Sequence, residues 1–287
     1  MKEYQTPHVL ANRVRMRRTS YKGTILVVEG DTDVRVYKGF TDENSCMIVP
    51  AHGKDNAVGA LKILEYECFQ GILVIVDADF WRLEGFKPNS MNLLLTDTHD
   101  LETMILSTPA AMEKVLAEFG STDKLKQLPG PAINMVTDNA LIIGYFRWIA
   151  SPSKDNLRLT FKDLPFENFV DVGKAKLHID IDKLIDAVKK NSDGIKFAEK
   201  ALKRKMELLK TGNHDPWQVC CGHDMVQILA IGFRLVFGKK KAETFTAELL
   251  EGTLRLTYEY TYFCLTALYR SIKNWEKANP SYKVLKN

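Results

Sequence analysis

The chain has 287 residues, 45% of them hydrophobic, with 10 prolines and 17 glycines, a balance that supports one or two packed cores and excludes a disordered or collagen-like chain. A formal charge of +4 and five cysteines (Cys46, Cys68, Cys220, Cys221, Cys264) without a CxxC pair exclude a disulfide scaffold and point to reduced thiols in a cytoplasmic protein. No apolar run nears the roughly 18 residues of a membrane span, and the polar start MKEYQTPHVLANRVRMRR lacks the apolar core of a signal peptide, so the expectation is a soluble protein that is neither exported nor membrane-bound.

In chain order, residues 1–21 read as a basic N-terminal segment carrying Arg13, Arg15, Arg17 and Arg18. GTILVVEG is a continuous apolar run of the kind found in the middle of a parallel sheet, and DTDVRVYKGF follows as a helix opened by Asp31 or Thr32. CMIVPAHG gives a second strand, KDNAVGALKILEYECF an amphipathic helix, and GILVIVDADF a third strand. The order β-α-β-α-β with short links predicts a Rossmann-like α/β domain over 22–108, its mainly parallel sheet covered by helices on both faces. From 109 to 287 the texture is helical, as in NMVTDNALIIGYFRWIA, GIKFAEKALKRKMELLK and DMVQILAIGFRLVFG, with a short strand or loop in NLRLTFKDLPFENFVD. This second region is expected to serve dimerisation, partner docking or substrate binding.

Two of the strands end in acids. In a parallel sheet the carboxyl ends share one edge, so Glu29 and the Asp77/Asp79 pair are expected at a common crevice, with Asp33 one helical turn beyond Glu29. Asp77 and Asp79, two apart on extended backbone, are expected to point the same way. Like charges so close raise one another's pKa or demand a counter-ion, and an all-oxygen donor set favours Mg²⁺ or Mn²⁺ over zinc. His214, Cys220, Cys221 and His223 are poorly spaced for a closed zinc site. His223 and Asp224 read as caps of the helix that follows Gly222 in preference to groups that orient the active cleft, and Asp97 as the cap of an acidic first turn. For Glu102 capping and a site role are equally open. Basic residues beside such a site suit a phosphate polymer: Arg17 and Arg18 are candidate nucleic-acid contacts, as is Lys54 at a helix N-terminus, although Lys54 also reads as an ordinary exposed lysine. The runs Lys203–Lys205 and Lys239–Lys241 read more simply as solvated surface.

Glu29-Gly30 after the first strand and Asp77-x-Asp79 after the third resemble the Toprim domain of topoisomerases, primases and OLD-type nucleases. VVEGDTDVRVY, GKDNAV, VIVDADF, HDLETMIL and CCGHDMVQIL together are similar to the stand-alone Toprim effectors of PARIS-type anti-phage defence systems. The resemblance implies a metal-dependent nuclease, homodimeric when active, restrained by an ABC-type ATPase and released on infection to cut host nucleic acid, with tRNA favoured over DNA. It implies Glu29 as catalytic acid or base, Asp77 and Asp79 as the metal-binding pair, Asp33 as a further metal-binding acid, and Glu102 as the acid after the third strand. No GxxxxGK[ST] is present, so ATP-driven sensing would come from another chain. A primase-like or topoisomerase-like transferase, an OLD-type DNA nuclease and a catalytically silent Toprim binding subunit remain as alternatives.

Overall fold

In the computed structural model, which describes residues 5–239 and 245–286, the chain divides into two units. The first comprises the chain up to Trp81, Gly85–Leu101 and the residues from Glu259 onward; the second comprises Arg82–Glu84 and Glu102–Tyr258.

The first unit is an α/β layer structure. Helix α1 (Pro7–Ser20) leads into β1 (Thr24–Val28), α2 (Asp31–Lys38), β2 (Cys46–Pro50), α3 (Lys54–Tyr66), β3 (Ile72–Val76) and β4 (Leu93–Leu95). The strands lie in the order β2-β1-β3-β4, every pairing parallel. All five residues of β1 and of β3 are buried, which is why both read as unbroken apolar runs instead of alternating ones. Strand β2 lies to one side of β1 and β3 to the other, so right-handed crossovers place α2 and α3 on opposite faces. Ile25, Val27, Val74 and Val76 pack with Leu10, Ala11 and Val14 of α1 and with Ala57, Leu61 and Leu64 of α3. Each fully buried Leu or Val contributes about 1.5–3 kcal/mol.

Three features differ from expectation. The basic N-terminal segment is an integral helix: Leu10, Ala11 and Val14 are completely buried, while the arginines between them obscure the apolar stripe. The sheet has a fourth strand, β4, whose three residues are too short to carry a pattern. The chain end also returns to this unit instead of staying with the helical region, because Asp97 receives the backbone N–H groups of Ala267 (2.6 Å) and Leu268 (2.8 Å) at the start of a helix spanning Ala267–Ala278. Trp275 on that helix is buried and donates to Asn92 Oδ1 (2.8 Å), and Phe263 stacks on Phe40 with ring centroids 4.6 Å apart. Capping by Asp97 is therefore as expected in kind, but it acts on a helix 170 residues away.

The second unit is mainly helical. After α4 (Leu101–Leu106), whose first residue belongs to the first unit, come α5 (Pro109–Phe119), α6 (Thr122–Leu125), α7 (Ala132–Ala150), α8 (Ile181–Asn191), α9 (Glu199–Lys210), α10 (Pro216–Val219), α11 (Gly222–Gly232) and α12 (Ala247–Thr257). A hairpin of β5 (Val170–Gly173) and β6 (Lys176–Ile179) begins at the end of the stretch where a short strand or loop was expected. Asp224, on the first turn of α11, is not committed to capping: both of its oxygens are held by the Arg147 guanidinium of α7, at 2.7 and 2.8 Å. His223 faces Glu251 at 2.8 Å, and the His214 ring lies edge-on to Trp148 at 5.0 Å. Lys203 pairs with Asp182, and Lys205 with Asp155 at 2.6 Å, which fits the solvated-surface reading of that run. Of the other run, Lys240 and Lys241 lie outside the described residues. Among the described residues no helix is long and apolar enough to cross a membrane.

Candidate functional site

The carboxyl edge of the four-stranded sheet gathers polar side chains from four loops. Glu29 follows β1, the strand flanked on both sides, so its carboxylate sits over the middle of the sheet. The backbone around it is tied down: its carbonyl receives the N–H of Gly53 (3.0 Å), and the Val28 carbonyl receives that of Ala51 (2.8 Å). The turn that makes this possible runs through His52 (φ 56°) and Gly53 (φ 127°), the latter in a region that side-chain-bearing residues rarely adopt. Glu29 Oε1 accepts the backbone N–H of Asp77 at 2.9 Å, joining the end of β1 to the end of β3.

Asp33 lies one turn into α2 and its Oδ2 accepts the N–H of Gly30 at 2.7 Å, so it closes the start of the helix while keeping its charge beside Glu29. Strand β3 ends at Val76, and Asp79 takes a left-handed backbone conformation (φ 45°). The two aspartates consequently do not share one direction. Asp77 Oδ1 accepts the N–H of Leu101 at 3.2 Å, whereas Asp79 Oδ2 meets the Lys54 ammonium at 2.6 Å. The extended-backbone expectation fails here because the strand has already ended.

Lys54, the first residue of α3, is neither an ordinary exposed lysine nor open to solvent as a phosphate contact. Only 14% of its side chain is exposed; its Nζ donates to the Asp77 carbonyl (2.7 Å) and to Asp79, and it lies 3.7 Å from the centre of the Trp81 ring. Two further residues at this edge, Thr96 and His99, were not singled out from the sequence. Thr96 Oγ1 accepts the Ala78 N–H (2.8 Å) and donates to the Thr98 carbonyl (2.8 Å). The carbonyl of buried His99 accepts the Asp79 N–H (2.7 Å), and its imidazole stands 3.9 Å from Asp79 Oδ1. The signal for His99 was its place in THDLE, where its neighbours drew attention as acids.

Glu102 is buried on the first turn of α4 and belongs to the second unit. Arg17 is exposed on α1. Arg18 is spent on structure: its guanidinium donates to the carbonyls of Tyr21 (3.1 Å), Gly23 (2.6 Å), Gln70 (2.9 Å) and Gly71 (3.3 Å) and lies over the Phe69 ring. These carbonyls precede β1 and β3, so Arg18 sits at the sheet edge opposite the acids.

The electrostatics single out Glu29. Burial pushes its carboxyl up from 4.5 to about 7; the negative charges of Asp79 and Asp33 push the same way, while the Asp77 N–H and the Lys54 ammonium pull it down. The pull of Lys54 does not offset burial and the like charges, and the nearby carboxylates are hard oxygen donors of the kind that Mg²⁺ or Mn²⁺ takes. Among the described residues, no three of Glu29, Asp33, Asp77 and Asp79 bring a ligand oxygen each within 4.8 Å of one another; Lys54 already holds Asp79. No protein-family model matches the chain, and comparison with curated proteins finds none similar to it.

Proposed function

We propose that the protein is a Toprim-type, divalent-metal-dependent phosphodiester endonuclease, an effector of a two-component anti-phage defence system that cuts host nucleic acid, tRNA in preference to DNA. The observation that carries this reading is the meeting of Glu29 with the Asp77–Asp79 loop at the carboxyl edge of a parallel β2-β1-β3-β4 sheet, the place where open α/β sheets bind ligands. Glu29, Asp77 and Asp79, with support from Asp33, are the residues that would hold Mg²⁺ or Mn²⁺, which when bound would supply Lewis-acid stabilisation of the phosphate and of the departing oxygen. Glu29 would accept the proton of the attacking water as general base. An ABC-type ATPase partner, for which this chain has no nucleotide-binding motif of its own, restrains the nuclease until infection, and the active form is a homodimer in the cytoplasm.

A second reading has one observation in its favour. Lys54 neutralises Asp79 in the way expected of a silent, purely structural cluster, so a catalytically inert Toprim subunit of an ATPase complex is the competing reading. Expression of the intact chain and of Glu29→Ala, each with and without the ATPase encoded beside it, separates them. Growth arrest under phage challenge that Glu29→Ala abolishes supports the nuclease; equal behaviour of both chains supports the subunit.

A further inference from the structure

The Lys54 ammonium is a positive charge built into the place where the proposed nuclease needs a metal ion. It contacts a carbonyl (Asp77, 2.7 Å), a carboxylate (Asp79, 2.6 Å) and the face of an indole (Trp81, 3.7 Å). Trp81 is itself braced, its backbone N–H donating to the Ala78 carbonyl (2.9 Å) and its ring packed on Phe86 with centroids 4.2 Å apart. The ammonium is largely enclosed, whereas 48% of the Asp79 side chain is exposed, so an incoming cation reaches Asp79 from solvent while Lys54 holds it from within. A divalent ion bound at the same carboxylate would meet the ammonium at close range, where like charges repel strongly in a partly desolvated setting. The acids are moreover not gathered round a common point while Lys54 holds Asp79.

We propose that Lys54 is a tethered counter-ion: it holds Asp79 in the metal-free protein, a divalent cation takes Asp79 from it, and the released ammonium leaves the Trp81 ring and becomes available to a substrate phosphate. This rests on the metal-dependent reading of the site and adds an order of events. Lys54 is a positioning residue in the free protein, since its contacts there are with the acids and not with substrate.

The test titrates the full-length protein with Mn²⁺ by calorimetry and with Mg²⁺ by tryptophan fluorescence. Four tryptophans are present, so Trp81→Phe identifies the Trp81 contribution. Mg²⁺ should change the emission of the wild-type protein, Trp81→Phe should remove that change, and Lys54→Met should bind Mn²⁺ about tenfold more tightly with no emission change. Lys54→Arg, which keeps the charge, should bind Mn²⁺ as the wild type does. Mn²⁺ binding by the wild type without a Trp81 response, or unaltered affinity in a folded Lys54→Met, overturns the counter-ion and leaves the nuclease reading standing. If Lys54→Met does not fold, the wild-type and Trp81→Phe titrations decide alone. Absence of divalent binding, or binding that Glu29→Gln leaves unchanged, overturns the metal reading and the counter-ion with it.

Discussion

Replacing Glu29 with glutamine removes a titration while keeping the carbonyl oxygen that accepts the Asp77 N–H. The folded pKa of about 7 stands above the ordinary 4.5, so the folded protein binds this proton more tightly than the unfolded chain. The stability that the neutral carboxyl contributes is fully present below about pH 4.5 and is lost as the pH rises through about 7. The difference between the two values corresponds to about 3 kcal/mol at 1.36 kcal/mol per unit, an upper figure because Glu29 is half-buried instead of sealed. Urea unfolding in the presence of EDTA at pH 5 and pH 8 measures it. Relative to the wild type, Glu29→Gln should gain up to about 3 kcal/mol between these pH values. A gap between the two proteins that is the same at both pH values, or a wild type that gains relative to the variant at pH 8, would refute the desolvated-carboxylate account. Because metal binding requires the ionised form, Mn²⁺ affinity of the wild type should also rise between pH 6 and pH 8.

Asp97→Ala removes two hydrogen bonds at the start of the helix over Ala267–Ala278 and should cost about 1 kcal/mol in urea unfolding, less than the loss of all docking because Thr266 still caps Tyr269 (3.0 Å). Asp224→Ala leaves the Arg147 guanidinium without its bidentate partner and should cost about 3 kcal/mol, whereas the paired change Arg147→Met, Asp224→Leu should recover most of it. Gly71→Ala should destabilise strongly, since φ is +71° and the new methyl would meet the Tyr282 ring at 2.1 Å; Gly71→Ala with Tyr282→Ala should recover the steric part but not the backbone part.

What could be read ahead of the structure were the features encoded locally. The runs at 25–28 and 72–76 are continuous in apolar character because both faces of the sheet are covered, and their terminal acids fall at one edge because parallel strands point one way. What escaped were features decided at a distance. The helix at 7–20 hides a narrow apolar stripe among arginines, and its role depends on α3. Strand β4 is three residues long and exists because β3 offers it an edge. The return of 259–286 depends on Asp97 and on the stack of Phe40 with Phe263, neither of which leaves a local pattern. At the site, the spacing of Asp77 and Asp79 misled because extended geometry stops at Val76 and Asp79 turns left-handed. The role of Lys54 follows from three contacts on a loop separated from it by more than twenty residues.

The most direct measurement incubates purified protein and its Glu29→Ala variant with end-labelled tRNA and duplex DNA, with Mg²⁺, with Mn²⁺ and with EDTA, and maps the ends produced. Discrete tRNA breaks that need the divalent ion and vanish in Glu29→Ala are the predicted result. Breaks that persist in Glu29→Ala or in EDTA, or intact nucleic acid throughout while the same wild-type protein arrests growth, would contradict catalysis at this sheet edge.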